Sequence, residues 1–224
     1  MAISAAEEET LEALKKWWDE SGKSLATGLA VAALLFLGWQ QYQGMQTSAS
    51  AEASAVYETL ITILADAEED VLDDAEREQS MAIIQRLKAD YADSVYARFG
   101  ALIGARLAAE QNDLERAESE LRWLLDNSQD GWFARTDESL VLTTQWRLAR
   151  VLLAQGRAEE ARALISGVNP GSFAADFAEL RGDIHFSLGE LVEAQAAWEE
   201  AAELSTGNQI LEMKLNSLDN QAGT

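Results

Sequence analysis

The sequence predicts an all-α protein in which one N-terminal transmembrane helix is followed by an α-solenoid of paired helices. Three observations support this prediction. The longest apolar block of the chain lies near its N-terminus. The rest of the chain repeats one helix-turn-helix pattern at intervals typical of stacked helical hairpins. No segment shows the clear two-residue alternation of apolar and polar side chains that a half-buried strand requires.

The apolar block has the length and the flanks of a membrane anchor. Residues 24–51 contain no charged side chain, and the stretch from Leu25 to Tyr42 would form about 27 Å of helix, close to the thickness of the hydrocarbon layer. Aromatic side chains suited to membrane interfaces flank it on both sides: Trp17, Trp18, Trp39 and Tyr42. We therefore predict a transmembrane helix over residues 24–42, in contact with membrane lipid.

Basic residues predict the orientation of this anchor. Three lysines precede the span: Lys15, Lys16 and Lys23. No basic residue follows it until Arg77. The positive-inside rule then makes residues 1–23 a cytoplasmic segment and places residues 43–224 outside the cytoplasm. In a bacterium with two membranes, this predicts an inner-membrane protein with a periplasmic domain. Two alternatives stay open, a signal peptide cleaved near Ala51 and a buried helix of a soluble domain.

Three segments after the anchor share one pattern. Each has a turn, then a helix start with a central alanine: Ala117, Ala161 and Ala194. Twelve residues earlier stands a small residue: Ala105, Ala149 or Gly182. Four residues later stands a large apolar one: Leu121, Ile165 or Trp198. Small residues let two antiparallel helices approach closely, and the large residue packs one turn beyond, so the pattern predicts tetratricopeptide repeats.

Further helices are expected on both sides of the repeats. Apolar residues at helical spacing predict a divergent first pair over residues 51–65 and 75–89 and a closing helix over residues 209–218. The acidic stretch 66–74 lacks the glycine and the ligand spacing of a calcium loop, so we expect a solvated connector there.

Composition excludes several classes of function. The formal net charge of −22 repels phosphate backbones, so we expect no nucleic-acid partner. The chain has no cysteine and one histidine, which excludes thiolate metal sites and cysteine nucleophiles. We expect His185 to be a packed core residue, because no second histidine can complete a metal site or a proton relay. We predict no catalytic residue, no metal site, no cofactor and no enzymatic activity.

A solenoid of this kind offers a concave surface built from the first helix of each pair, which suits peptides or partner helices. The repeat register places ten residues on it: Phe99, Leu102, Arg106, Thr143, Trp146, Arg150, Asp176, Glu179, Asp183 and Phe186. Arg106 and Arg150 are available to pair with carboxylates of a polypeptide partner. These ten residues are the candidate partner-binding site.

Seven short segments together resemble one family, the ancillary subunits of the bacterial SecYEG translocon of the YfgM type. They are Leu14-Lys15-Lys16-Trp17-Trp18, Gly22-Lys23, Gly38-Trp39, Leu148-Ala149-Arg150-Val151, Leu180-Arg181-Gly182-Asp183, Ala197-Trp198-Glu199 and Met213-Lys214-Leu215-Asn216. The resemblance covers nearly the whole chain and implies a single-span inner-membrane protein without enzymatic activity. It also implies a periplasmic repeat domain that joins the translocon and the chaperone PpiD and aids the transfer of exported polypeptides to periplasmic chaperones.

Two other functions stay open on the sequence alone. One is a repeat-domain regulator or envelope-assembly adaptor that binds a different partner through the same concave surface. The other is a periplasmic hydrolase that uses a pair of carboxylates, although nothing in the sequence singles out such a pair.

Overall fold

The computed structural model describes residues 23–67, 72–128, 138–205 and 207–222. Within these residues it contains α-helices and one short 3₁₀ turn, Gly171–Phe173, and no strand, which confirms the all-α prediction. The α-helices are α1 (Lys23–Asp66), α2 (Asp74–Asp90), α3 (Val95–Glu110), α4 (Leu114–Asp126), α5 (Glu138–Ala154), α6 (Ala158–Ile165), α7 (Ala174–Ser187), α8 (Leu191–Leu204) and α9 (Gln209–Ala222).

The chain divides into two compact units, and the boundary between Glu52 and Ala53 falls within helix α1. The 44 residues of this helix run without interruption through positions 43–50, where the sequence has neither a proline nor a charge. Among the residues that the structure describes, no helix is both long enough and apolar enough to cross a membrane. The transmembrane helix over residues 24–42 therefore stays a prediction. Residues 1–22 of the predicted cytoplasmic segment 1–23 and residues 68–71 of the acidic connector lie outside the described residues.

The second unit contains three helix pairs, α3/α4, α5/α6 and α7/α8, as the repeat pattern predicts. The three turns share one geometry. Asn112, Gly156 and Gly189 all have positive φ angles, of 58°, 77° and 77°. The N–H of the residue after each donates to a carbonyl five residues earlier at 2.9 Å, as in Asp113 to Ala108. This is the hydrogen bond of a Schellman cap, so each first helix ends in the same way.

The residues that define the repeat pattern form the core of these pairs. The small residues at the crossing points and the central alanines are all buried: Ala105, Ala149, Gly182, Ala117, Ala161 and Ala194. Leu121 and Ile165 join one apolar cluster with Leu148 and Phe177, and Trp198 joins another with Leu211 and Leu218 of α9. Helix α9 therefore covers the last repeat, as expected of a closing helix.

The divergent first pair packs on α3 through apolar and polar contacts. Leu60 of α1 and Ile84 of α2 are fully buried and belong to one cluster with Leu107 of α3. Helix α2 begins with a capping box, in which Asp73 accepts from the Glu76 N–H and the Glu76 carboxylate accepts from the Asp73 N–H. The pair thus forms a continuation of the helical stack beside α3 and α4.

Candidate binding groove

Two adjoining cavities lie along the first helices of the repeats. The larger, of about 530 Å³, lies between α3 and α5, and the smaller, of about 300 Å³, lies between α5, α7 and α9. Trp146 and Arg150 of α5 line both cavities. We call the two cavities together the groove. Its volume is in the range of sites that accept small ligands or a few side chains of a peptide.

The centre of the groove is an ordered tryptophan and arginine pair. Trp146 and Arg150 are four residues apart, so they lie on the same face of α5. The Trp146 Nε1–H donates to the backbone oxygen of Asp176 on α7 at 3.2 Å. The Arg150 guanidinium lies 4.5 Å from the centre of the Trp146 ring, within the distance of a cation–π contact. The indole therefore both joins two repeats and supports the arginine.

The half of the groove between α3 and α5 is basic. Arg106, Arg147 and Arg150 line it, together with one acidic residue, Glu110. Glu110 forms an ion pair with Arg106 at 3.6 Å, in which both side chains are about half exposed. Three guanidinium groups beside one carboxylate leave this cavity with a positive local charge, although the chain as a whole is strongly acidic.

The half between α7 and α9 is acidic. Asp176, Glu179 and Asp183 line it on α7, and Lys214 of α9 lies opposite. The Lys214 ammonium donates to Glu179 at 2.7 Å and to Asp183 at 2.6 Å. The Asp183 carboxylate also accepts from the Trp198 indole N–H at 3.0 Å. Asp183 is therefore held by contacts from α8 and α9.

Ion pairs also connect neighbouring repeats outside the groove. Arg157, in the turn before α6, donates to Glu118 of α4 at 2.6 Å. Burial raises the pKa of Glu118, but hydrogen bonds from Arg122, Arg157 and Gln155 outweigh it and hold the pKa below the ordinary glutamate value. These pairs fix one repeat against the next at their turns.

His185 takes part in a second link of this kind. Its Nδ1 lies 2.6 Å from the Glu190 carboxylate, and Arg162 of α6 donates to the same carboxylate at 3.0 Å. Hydrogen bonds from His185 and then Arg162 lower the pKa of Glu190. The His185 side chain is one-quarter exposed, so the expectation of a core histidine is wrong. The turn places Glu190 beside the imidazole ring, which stays partly exposed.

No metal centre is found in the part of the chain that the structure describes. None of its His, Asp and Glu side chains form a group of three or more that could hold a metal ion. The groove instead offers charge pairing, an aromatic face and apolar walls, which are the means by which proteins bind polypeptides.

Comparison with known proteins identifies the family. A family model of the tetratricopeptide repeat-like domain matches residues 15–220. A protein of Haemophilus influenzae named "Ancillary SecYEG translocon subunit" is 31% identical over 97% of this chain and 100% of its own length. The chain belongs to this family. Relatives with the same name are 30% identical in Neisseria gonorrhoeae and 27% identical in Escherichia coli, again over 97% of the chain. No solved structure gives a significant match.

The structure brings together six of the ten residues that the repeat register places on the concave surface. They line the groove: Arg106, Trp146, Arg150, Asp176, Glu179 and Asp183. The other four are not among its lining residues. Leu102 is partly buried against the core, and Thr143 is partly buried one turn before Trp146. Phe99 lies near Tyr57 of α1, with ring centroids 6.5 Å apart, and Phe186 packs on Trp198 at 5.5 Å.

Sequence reasoning missed Arg147, Glu110 and Lys214. Arg147 and Glu110 follow registered groove residues by one and four positions, so a wider helical face would have included both. Lys214 lies on the closing helix, which has no repeat register to place it. Of the two missed cations, Arg147 adds to the charge of the basic half, whereas Lys214 partly neutralises the acidic half.

Proposed function

We propose that this chain is a membrane-anchored adaptor at the SecYEG translocon that binds polypeptides through the groove. The observation that carries the proposal is the match, over nearly the full length of both chains, to relatives named as ancillary subunits of that translocon. A match of this extent includes the N-terminal stretch as well as the repeats, which supports assigning the proposed role to the whole chain.

The anchor in this proposal is the helix over residues 24–42, with residues 43–224 in the periplasm. The uncharged stretch 24–51 and the three preceding lysines support it. The consecutive side chains Leu34, Leu35, Phe36 and Leu37 are 58–69% exposed, which leaves a run of apolar surface that a lipid environment would cover. The proposed orientation places the repeats on the side where exported chains emerge.

The groove in this proposal receives exported polypeptides or the chaperone PpiD, which the family resemblance implies as a partner. The groove has a basic half and an acidic half, which supports a polypeptide ligand, because acidic and basic side chains of one peptide could each pair with groove residues of opposite charge. The aromatic and arginine pair at its centre has the composition of a binding hot spot. The adaptor would then hold a chain at the membrane until a periplasmic chaperone accepts it.

Crosslinking in cells tests this proposal. A photo-crosslinking residue at Trp146 is expected to capture a translocon channel subunit, PpiD or an exported chain. The same residue at Val192 of α8, which is 78% exposed and does not line the groove, serves as the control. Equal products from both positions, or the absence of channel subunits from an affinity purification of the intact translocon, would contradict the proposal. A signalling or envelope-building protein captured at Trp146 would favour the regulator or assembly alternative.

Topology is tested separately. A C-terminal tag is expected to be digested when protease is added to spheroplasts, and a cytoplasmic marker protein is expected to survive as the control. Protection of the tag, or a mature chain that begins near Glu52, would contradict the anchored arrangement.

A further inference from the structure

We propose that the basic half of the groove binds an acidic segment of the partner polypeptide, with partner carboxylates on Arg147 and Arg150 and a partner apolar side chain against the wall between them. The inference rests on the proposed function, since it specifies the chemistry of the polypeptide that the groove receives. Four features of the described structure support it: two arginines without carboxylate partners, a rigid support for one of them, an apolar wall and an acidic neighbour.

The first feature is the absence of ion pairs at Arg147 and Arg150. The chain has 39 acidic and 17 basic side chains, so most surface arginines are expected to lie near a carboxylate of the same chain. Arg106, on the facing helix, is paired with Glu110. Arg147 and Arg150 form no hydrogen bond or ion pair with any other residue that the structure describes. Both guanidinium groups are therefore available to external carboxylates.

The second feature is that Arg150 is held in place before any ligand arrives. Its guanidinium lies over the Trp146 ring, and Trp146 is itself hydrogen-bonded to the backbone of Asp176. A guanidinium held over an aromatic ring still has N–H groups that can donate to a carboxylate. Because the side chain is already ordered, binding loses less conformational entropy than it would with a mobile arginine.

The third feature is the apolar wall of the basic half. Besides the arginines, small and aliphatic side chains line the cavity of about 530 Å³: Ala105, Ala109, Leu114, Leu121, Val151 and Ala154. A cavity of this size accepts a few side chains, not a folded domain. A partner segment with an aliphatic residue beside an acidic one would thus pack against the apolar wall and pair with the arginines at the same time.

The fourth feature is the acidic neighbour, which sets the position of the ligand. The Asp176 carboxylate forms no ion pair with a described residue, and Glu179 and Asp183 share one cation, Lys214. With Arg150, which it shares with the larger cavity, the smaller cavity has two cations against three carboxylates, so it keeps a net negative charge. The half between α3 and α5, in which three arginines surround one carboxylate, is therefore the more favourable place for an acidic segment.

Fluorescence anisotropy with two labelled peptides tests the inference on the full chain. One peptide alternates Glu and Leu, and the other alternates Lys and Leu. We expect the Glu peptide to bind at least about tenfold more tightly, since each charge-assisted contact contributes about a factor of ten. The double variant R147Q/R150Q should lose that preference. The control R86Q removes an exposed arginine of α2, which pairs with Asp90 at 3.6 Å, and should bind as the unmodified chain does.

The charge-reversed variant R147E/R150E supplies a second measurement, because it should prefer the Lys peptide. Circular dichroism checks that each variant folds. Equal binding of both peptides, or equal losses in R86Q and R147Q/R150Q, would overturn the inference. So would arginine-dependent binding to phosphatidylglycerol vesicles in place of the Glu peptide, or arginine-dependent self-association in sedimentation. If the chain captures the translocon but shows no preference for the Glu peptide, this inference alone is rejected. If it prefers the Glu peptide but does not capture the translocon, the proposed function is rejected.

Discussion

Gly182 of α7 lies against the indole of Trp198 on α8, with no room for a side chain between them. A Cβ at Gly182 would lie 2.8 Å from Trp198 Cγ and closer still to two other atoms of the ring. In the other repeats the corresponding pairs are Ala105 with Leu121 and Ala149 with Ile165. Among these three pairs, the largest side chain, Trp198, therefore faces the smallest residue, Gly182. This pairing lets α7 and α8 keep a spacing similar to that of the other two helix pairs.

The first prediction concerns Gly182→Ala. Because the clash is with a rigid, buried ring that also donates to Asp183, we expect a loss of about 1–3 kcal/mol in the free energy of unfolding. Urea denaturation measures it. Gly104→Ala is the matched control, since its Cβ would meet its nearest neighbour at 3.4 Å and alanine is the better helix former. Equal losses in the two variants would show that the indole does not set the helix spacing.

The pairing of Gly182 with Trp198 is predictable from the sequence because the repeat alignment places small and large residues at fixed offsets. The turns are predictable for the same reason, since Gly156 and Gly189 align with Asn112, a residue that also tolerates positive φ. Helical periodicity also places Trp146 and Arg150 of α5 and three acids of α7 on the groove side: Asp176, Glu179 and Asp183. These features depend on the number of residues between positions within one helix or one repeat, which can be read directly from the sequence.

Other features depend on how whole helices pack on one another, which the spacing of residues in the sequence does not determine. Lys214 reaches Glu179 and Asp183 only because α9 packs on the last repeat in one particular orientation. Phe186 has the register of a concave residue, but its ring lies on Trp198. The buried Glu120 likewise finds its partners 32 and 35 residues earlier in the chain, on α2.

The second prediction concerns this buried carboxylate. Glu120 is 2% exposed and accepts from Lys88 at 2.7 Å and from Gln85 at 2.9 Å. Lys88→Met leaves the carboxylate buried without its cation, so we expect a loss of about 3–5 kcal/mol. Glu120→Leu should cost less, because the longer Lys88 side chain can move its charge toward solvent.

The double variant Lys88→Met with Glu120→Leu serves as the control for that asymmetry. It replaces the whole pair by apolar groups and should recover most of the stability lost by Lys88→Met. Chemical denaturation of the three variants gives the comparison. A larger loss in Glu120→Leu than in Lys88→Met would contradict the explanation from burial.

The third prediction is a loss of stability in acid that depends on Arg157. Hydrogen bonding to Arg157 lowers the pKa of Glu160, and Arg157 also contributes to the lowered pKa of Glu118. A carboxyl whose pKa is lowered in the folded state stabilises the protein above its unfolded pKa, about 4.3, and that contribution is lost as the pH falls through the folded pKa. Unfolding measured against pH should therefore show stability falling below about pH 5.

Arg157→Gln provides the comparison for the acid profile. It removes the cation that both carboxylates share, so the dependence of stability on pH between about 5 and 3 should become shallower. Arg86→Gln removes an arginine that contacts neither group and should keep the original slope. Identical profiles for Arg157→Gln and the unmodified chain would mean that these pairs do not stabilise the fold.

The fourth prediction separates backbone conformation from packing at the repeat turns. Gly189 has a φ angle of 77°, and a Cβ there would meet nothing within 4 Å, so Gly189→Ala tests conformation alone. We expect a loss of about 1–2 kcal/mol, the cost of placing an L-residue in the left-handed region. Asn112→Gly, at the equivalent turn, should be neutral or stabilising, because glycine adopts its φ of 58° without that cost. Thermal unfolding measures both changes, and a loss in Asn112→Gly as large as that in Gly189→Ala would show that side-chain contacts, not the backbone, determine these turns.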